Sequence, residues 1–252
     1  MQTKYTKPKK LLSPGATNSK TAKNEIKTFI LYLSPYNLNS KKINLCPHAS
    51  EGCAAACLYS AGRGAFSNVQ KARQNKTEYF LHSKKEFIQQ LAGEIIKETN
   101  KARKAKTKLA FRLNGTSDVD FVYLLNKYAS LDISTLKDTS VFYDYTKIFT
   151  KANRYKSHPN YVLTFSRAEN NNTLALSALR QGINVAAVFA GDLPNNWEGF
   201  TVVDGDSSDL VMLSHKGKVL GLKAKGKARK DESGFVLPGA IVNSVNSKVL
   251  AI

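Results

Sequence analysis

All three cysteines of this 252-residue chain, Cys46, Cys53 and Cys57, lie in the string Cys-Pro-His-Ala-Ser-Glu-Gly-Cys-Ala-Ala-Ala-Cys. Independent core thiols would be scattered among the strands, whereas clustering points to a shared ligand. Cys53 and Cys57 are four residues apart, which puts both on one face of a helical turn, and the loop from Cys46 folds back to bring the third. An odd number of cysteines cannot close into intramolecular disulfides, which favours metal or redox chemistry in a reducing compartment. Structural zinc takes four ligands and would need His48 or His215 to complete the set. A [4Fe-4S] cluster on three thiolates leaves one iron open, and that iron can chelate the amino and carboxylate groups of S-adenosylmethionine. The missing fourth cysteine favours the cluster; three small buried residues are the plain alternative.

The elements that must position these thiols follow from hydrophobic periodicity. Residues 1–27 carry lysines and two prolines without helical or strand periodicity and read as a mobile, disordered basic arm. Residues 28–252 read as one α/β domain. Its first strand, from Thr28, ends before Ser34-Pro35, and a polar connector leads to the cysteines. Helices follow over about 67–81 and from Ser83, where Ser83-Lys84-Lys85-Glu86 is a capping-box pattern. Further strands are expected at 109–113, 140–145, 161–165, 183–189, 200–203 and 219–222, most of them followed by a polar loop and a helix. Gly182 stands as a helix stop.

This alternation fits an open or partial (β/α) barrel, with a doubly wound sheet as the alternative. In both, ligands meet the loops at the carboxyl ends of the parallel strands. There the chain carries Arg112, Asn114, Ser117 and Asp118, the candidates for cofactor or substrate contact. Ser117 and Asp118 also begin a helix, where either side chain serves equally well as an N-cap. Asp204, Asp206 and Asp209 offer hard oxygen ligands for a divalent metal, or simply a solvated turn.

Lys and Arg number 38 against 19 Asp and Glu, a net charge of +19. Such an excess points to a polyanionic partner, DNA or RNA, bound through counterion release; a lysine-rich soluble surface would carry the same charge. The candidate phosphate contacts are Lys101, Arg103 and Lys104 at a helix end, and Lys223, Lys225 and Lys227, which alternate to one face of a strand. No apolar run suits a membrane span or a signal peptide, so a cytoplasmic protein is expected.

The string from Cys46-Pro47 through Cys53 to Cys57-Leu58-Tyr59, together with Phe111-Arg112-Leu113-Asn114-Gly115-Thr116-Ser117-Asp118, resembles the phage gene product 88 family. Leu193-Pro194, Trp197, Gly199, Val203-Asp204-Gly205-Asp206 and the run from Gly221 to Ala228 extend the likeness. That family is in turn similar to radical-SAM-like phage proteins. The resemblance implies a barrel of radical-SAM type with its cluster in the loop after the first strand, in a phage or mobile-element protein working in the host cytoplasm. The cysteine gaps here, six and three residues, differ from the three-and-two spacing of radical-SAM proteins. The expectation is an iron-sulfur, radical-SAM-like protein acting on or bound to nucleic acid. The alternative is a non-enzymatic DNA-binding or replication protein with a structural zinc or iron-sulfur site.

Overall fold

Short runs rich in β-branched and aromatic residues become the strands, and apolar residues at helical spacing become the helices that cover them. The computed structural model describes residues 5–17, 26–57, 59 and 62–240. In chain order these form β1 (Leu12–Pro14), β2 (Lys27–Leu31), α1 (Glu51–Ala55), α2 (Ser67–His82), α3 (Lys84–Lys104), β3 (Leu109–Arg112), α4 (Phe121–Ala129), β4 (Ser140–Thr146), α5 (Phe149–Tyr155) and β5 (Tyr161–Ser166). Then come α6 (Asn172–Arg180), β6 (Val185–Phe189), β7 (Asn196–Trp197), β8 (Phe200–Asp204), β9 (Val219–Lys223) and β10 (Val236–Leu237). Among the described residues no helix is long and apolar enough to cross a membrane.

The strands make a 10-stranded sheet in the order β1-β2-β3-β4-β5-β6-β9-β8-β7, with β10 beside β6, and the sheet does not close. From β2 to β8 along this path every pairing is parallel. The two ends are antiparallel, β1 on β2 and β7 on β8. Phe29, Leu31, Phe111, Phe142 and Leu163 pack with Tyr79, Phe87, Leu91, Phe121 and Leu125 of α2, α3 and α4. Phe165, Val185 and Ala187 pack with Ala152 of α5 and Ala175 and Leu179 of α6. The strand registers place all these sheet residues on one face. The opposite face, through Ala110, Tyr143 and Leu220, is filled by Met212 from the segment after β8. A doubly wound sheet would carry helices on both faces, so the one-sided cover sets that alternative aside.

β5 pairs with β6 only through Phe165 and Ser166, and beyond that point β10 pairs with Val188 and Phe189 instead. Arg167 holds β10 there, its Nη1 donating to the carbonyls of Gly234 and Phe235 at 2.5 and 2.8 Å.

Three local expectations are corrected. The arm is not wholly free: residues 5–17 lie on the domain, with Leu11 and Leu12 buried and their N–H groups donating to Glu94 of α3 at 2.8 and 2.9 Å. One apolar pair and an acceptor carboxylate outweigh the surrounding lysines; the rest of the arm, 1–4 and 18–25, lies outside the described residues. The capping box at Ser83 does not form, because the Ser83 hydroxyl pairs with the Tyr5 hydroxyl at 2.6 Å. The N-cap of α4 is Asp120, accepting from the Tyr123 N–H at 3.1 Å, and not Ser117 or Asp118. Gly182 does close α6, with φ of 78°.

Replacing Glu94 by alanine leaves two buried N–H groups without an acceptor. Chemical denaturation should show a loss of about 1–3 kcal/mol, and amide exchange at Leu11 and Leu12 should accelerate. Unchanged protection of those two amides would show that the segment docks without this carboxylate.

Candidate metal and ligand site at the cysteine loop

The chain leaves β2 at Leu31 and turns back at Tyr36, which sits in the left-handed region with φ of 55°. Leu45 donates its N–H to the Tyr36 carbonyl at 3.1 Å, and the Leu45 carbonyl accepts the Asp118 N–H at 2.8 Å. These two bonds fix Cys46 between its own loop and the turn after β3. The Tyr36 hydroxyl donates to the Ser50 carbonyl at 3.1 Å, tying the same loop to the start of α1.

α1 begins with Ser50, whose side chain accepts from the Cys53 N–H at 3.2 Å. Its second anchor comes from far along the chain: Glu169, after β5, accepts from the Ser50 hydroxyl at 2.7 Å and from the Gly52 N–H at 2.8 Å. Gly52 is required because a Cβ would stand 2.1 Å from Ser233 Oγ and 2.7 Å from Phe235 Cβ. The helix ends at Ala55, and Cys57 lies beyond its Ala56 C-cap, with the Cys57 N–H donating to the Ala54 carbonyl at 3.3 Å.

All three cysteines are half-buried thiols. Burial pushes Cys46 up to about 11, the Tyr36 backbone N–H draws it down, and Cys57, Asp118 and Cys53 raise it again. Cys57 is also raised, first by burial; the Tyr59 N–H at 3.5 Å from its sulfur opposes this, as do Arg73 and Lys147. The Tyr36 hydroxyl is raised by burial and then by Cys53, Cys46 and Cys57, so all three thiols lie within electrostatic reach of it. They are neighbours, but among the described residues no three His, Cys, Asp or Glu side chains are drawn together as a metal-holding group. The shared helical face expected for Cys53 and Cys57 is lost because α1 stops before Cys57. Nor does histidine complete a zinc set: His48 is exposed, and His215 Nδ1 lies 2.8 Å from the Val211 carbonyl, beyond β8.

The turn after β3 reaches this site through its backbone. Cys46 Sγ lies 3.7 Å from the Thr116 carbonyl, and the Thr116 hydroxyl donates to the Leu33 carbonyl. Gly115 lets the turn close, since a Cβ there would meet the Tyr32 ring at 2.4 Å. The side chains expected to meet a ligand are occupied in holding the turn. Asn114 Oδ1 accepts from Ser117 Oγ and the Val119 N–H, while its Nδ2 donates to the Val119 carbonyl and to Asp144. Asp118 accepts from Thr146 Oγ1, the Lys147 N–H and Lys151 Nζ at 2.8, 2.8 and 3.0 Å. Burial raises Asp144 to about 6 against the opposing pull of Lys151 and the Asn114 N–H. Arg112 points to the other face of the sheet, pairing with Asp209 at 3.2 Å over the Tyr145 ring.

The acidic loop does not gather as a metal site. Asp204 accepts from the Asp206 N–H, Asp206 holds the Lys223 N–H and Lys225 Nζ, and Asp209 turns inward to Arg112 and the Tyr143 hydroxyl. The two lysine runs lie at opposite ends of the parallel strands: Lys101, Arg103 and Lys104 precede β3, while Lys223, Lys225 and Lys227 follow from the end of β9. Lys101 pairs with Glu98, Lys223 with Asp192 and Lys225 with Asp206. They therefore do not line one groove. Tyr36, Arg73 and Glu169 were not singled out from the sequence; only Glu169 carried a signal, its place in the polar turn after a strand.

A family model described as Gene product 88 matches residues 6–239. No curated protein and no solved structure matches the chain.

Burial raises the Glu169 carboxyl, but the Ser50 hydroxyl and Gly52 N–H outweigh this and hold it below its ordinary value. Because the folded pKa is lowered, the clasp stabilises above the unfolded value of about 4.3 and is lost as pH falls through the lower folded value. The Gly52 amide resonance should titrate with a midpoint below that value and stay flat in Glu169→Gln. A midpoint at or above it would refute the clasp.

Proposed function

The chain belongs to the gene product 88 family, and we propose that it is an iron-sulfur protein in which Cys46, Cys53 and Cys57 hold a [4Fe-4S] cluster at the rim of an open (β/α) barrel of radical-SAM type, acting on or in company with nucleic acid. The observation that carries this reading is the gathering of all three thiols in one loop just past the carboxyl end of β2, tied together through Tyr36 and Ser50 and within electrostatic reach of the Tyr36 hydroxyl. Two of the sulfurs already receive backbone N–H groups, from Tyr36 and Tyr59. Donors of this kind stabilise a thiolate and tune a cluster, so the donor set suits iron-sulfur ligation. When bound, such a cluster supplies an iron with an open position for a chelating ligand such as S-adenosylmethionine.

The chain's own residues do the positioning. Glu169 fixes the start of α1, and with it Cys53. The Asn114–Asp118 turn forms the wall beside Cys46, held from behind by Asp144, Thr146 and Lys151. Loading must expel thiol protons, so metal uptake is expected to strengthen as pH rises. The sequential parallel order of β2 to β6 and helices on one face support the barrel reading, in which ligands meet the carboxyl-end rim.

The net charge of +19 supports a polyanionic partner. Of the two basic runs, the later one borders the cysteine helix: Lys227 and Lys230 share a groove with Glu51, Gly52 and Ala55. A phosphate backbone that approaches the thiols would pass over these lysines, and not over Lys101 to Lys104 at the far end.

Anaerobic purification should give a brown protein with about four iron and four sulfide per chain, and Cys53→Ser should lose both. A colourless protein loaded with zinc would sink the iron-sulfur reading and favour a structural site in a non-enzymatic DNA-binding protein. Affinity for single- or double-stranded DNA or RNA should fall at least tenfold between about 50 and about 200 mM salt, and more steeply for the parent than for Lys227→Gln/Lys230→Gln. Binding that ignores salt removes the polyanion.

A further inference from the structure

Three other cations drawn into the fold have acceptors: Arg112 has Asp209, Lys151 has Asp118, and Arg167 has Asn172 and the Gly234 and Phe235 carbonyls. Among the described residues, two cations at the cysteine site have no carboxylate. Arg73, half-exposed on α2, lies with its guanidinium 4.6 Å from the centre of the Tyr32 ring and 5.6 Å from that of Tyr59. Its Nε and Nη1 are buried and, among the described residues, have no hydrogen-bond acceptor. Lys147, immediately after β4, lies 5.6 Å from the centre of the Phe235 ring, and among the described residues its ammonium makes no ion pair. Tyr59, whose ring lies under Arg73, points its N–H at Cys57 Sγ at 3.5 Å. The Lys147 N–H donates to Asp118, whose own N–H is held by the Leu45 carbonyl beside Cys46; both cations lower the Cys57 thiol.

A guanidinium stacked between aromatic faces is held in one orientation, so its donors are pre-set for an incoming acceptor. Donors that are buried and unmade in the chain itself are uncommon in native proteins and call for a partner. The two residues come from different elements: Arg73 of α2 lies on the ring of Tyr32, the residue after β2, and Lys147 follows β4, so both stand at the carboxyl-end rim where α/β proteins take their ligands. Two acidic groups that hold the cysteine loop are committed elsewhere, Asp118 to Lys151 and Glu169 to Ser50 and Gly52.

We infer that Arg73 and Lys147 form an oxyanion-binding site beside Cys57, taking a carboxylate or phosphate group of the ligand that is presented to the thiols. Arg73 supplies directional donors and Lys147 a compact charge, a division suited to an anion with several acceptor oxygens. Neither residue is a metal ligand, and the inference stands whether the thiols hold iron, zinc or no metal.

The test is equilibrium dialysis of the full chain at constant ionic strength against radiolabelled inorganic phosphate and, separately, acetate. At least one anion should bind saturably at one site per chain; which one binds tells phosphate recognition from carboxylate recognition. Affinity should fall at least tenfold in Arg73→Gln and in Lys147→Gln, and stay unchanged in Lys85→Gln, which removes an equal charge from an exposed position on α3. Thermal melting of the same variants identifies any that fails to fold, and Arg73→Lys then replaces Arg73→Gln, with the same loss expected because the directional donors go. No saturable binding of either anion, or equal affinity across the variants, overturns the site.

Discussion

The cysteine loop is held in place chiefly by one carboxylate. Glu169 accepts from the Ser50 hydroxyl and the Gly52 N–H, two groups more than a hundred residues earlier in the chain. A five-residue helix such as α1 has almost no stability of its own, because nucleation costs several dihedrals for its first bond. Its orientation must come from outside, and a charge-assisted anchor at its first turn supplies it. Cys53 takes its position from that anchor through Ser50, and the C-terminal segment closes over Gly52 only because no side chain stands there. The site thus depends on a contact between the loops after β2 and β5.

The sheet separates structural from ligand-facing chemistry. Its helical face holds nearly all the large aromatic residues in a continuous core. The other face holds Arg112, Tyr143 and Asp209 together as a polar cluster under the segment that follows β8. By its place at a strand end Arg112 is expected to belong with Asn114 to Asp118, yet side chains alternate across a strand and send it to the opposite face from its neighbour Phe111. The rim between the two faces is where the thiols lie, beside the rings of Tyr36 and Tyr59.

Periodicity carries far in this chain. Strands β2 to β6, β8 and β9 and helices α2 and α3 fall within a few residues of where apolar spacing puts them. The elements that escaped are β1, β7 and β10, each of two or three residues. A stretch that short has no period to read, and its pairing is decided by the edge it finds. The same limit applies to Leu11 and Leu12, whose docking depends on Glu94 and on nothing visible in the lysine-rich arm itself. Within the site, Asp118 was legible as important and misread in role, since a carboxylate's type does not say whether it faces a ligand or Lys151.

By itself the amino-acid sequence determined the alternation of strands and helices, the strong positive charge and the concentration of every thiol in one loop, because composition, spacing and hydrophobic period are local properties. Tertiary structure decided the one-sided helical cover, the separation of the two lysine runs, the clasp on α1 and the placing of Arg73 over Tyr32 and Tyr59. Each of these sets residues from distant elements side by side. Such contacts depend on the order in which strands pair and on which loops converge at a rim, and neither is written in any single stretch of chain.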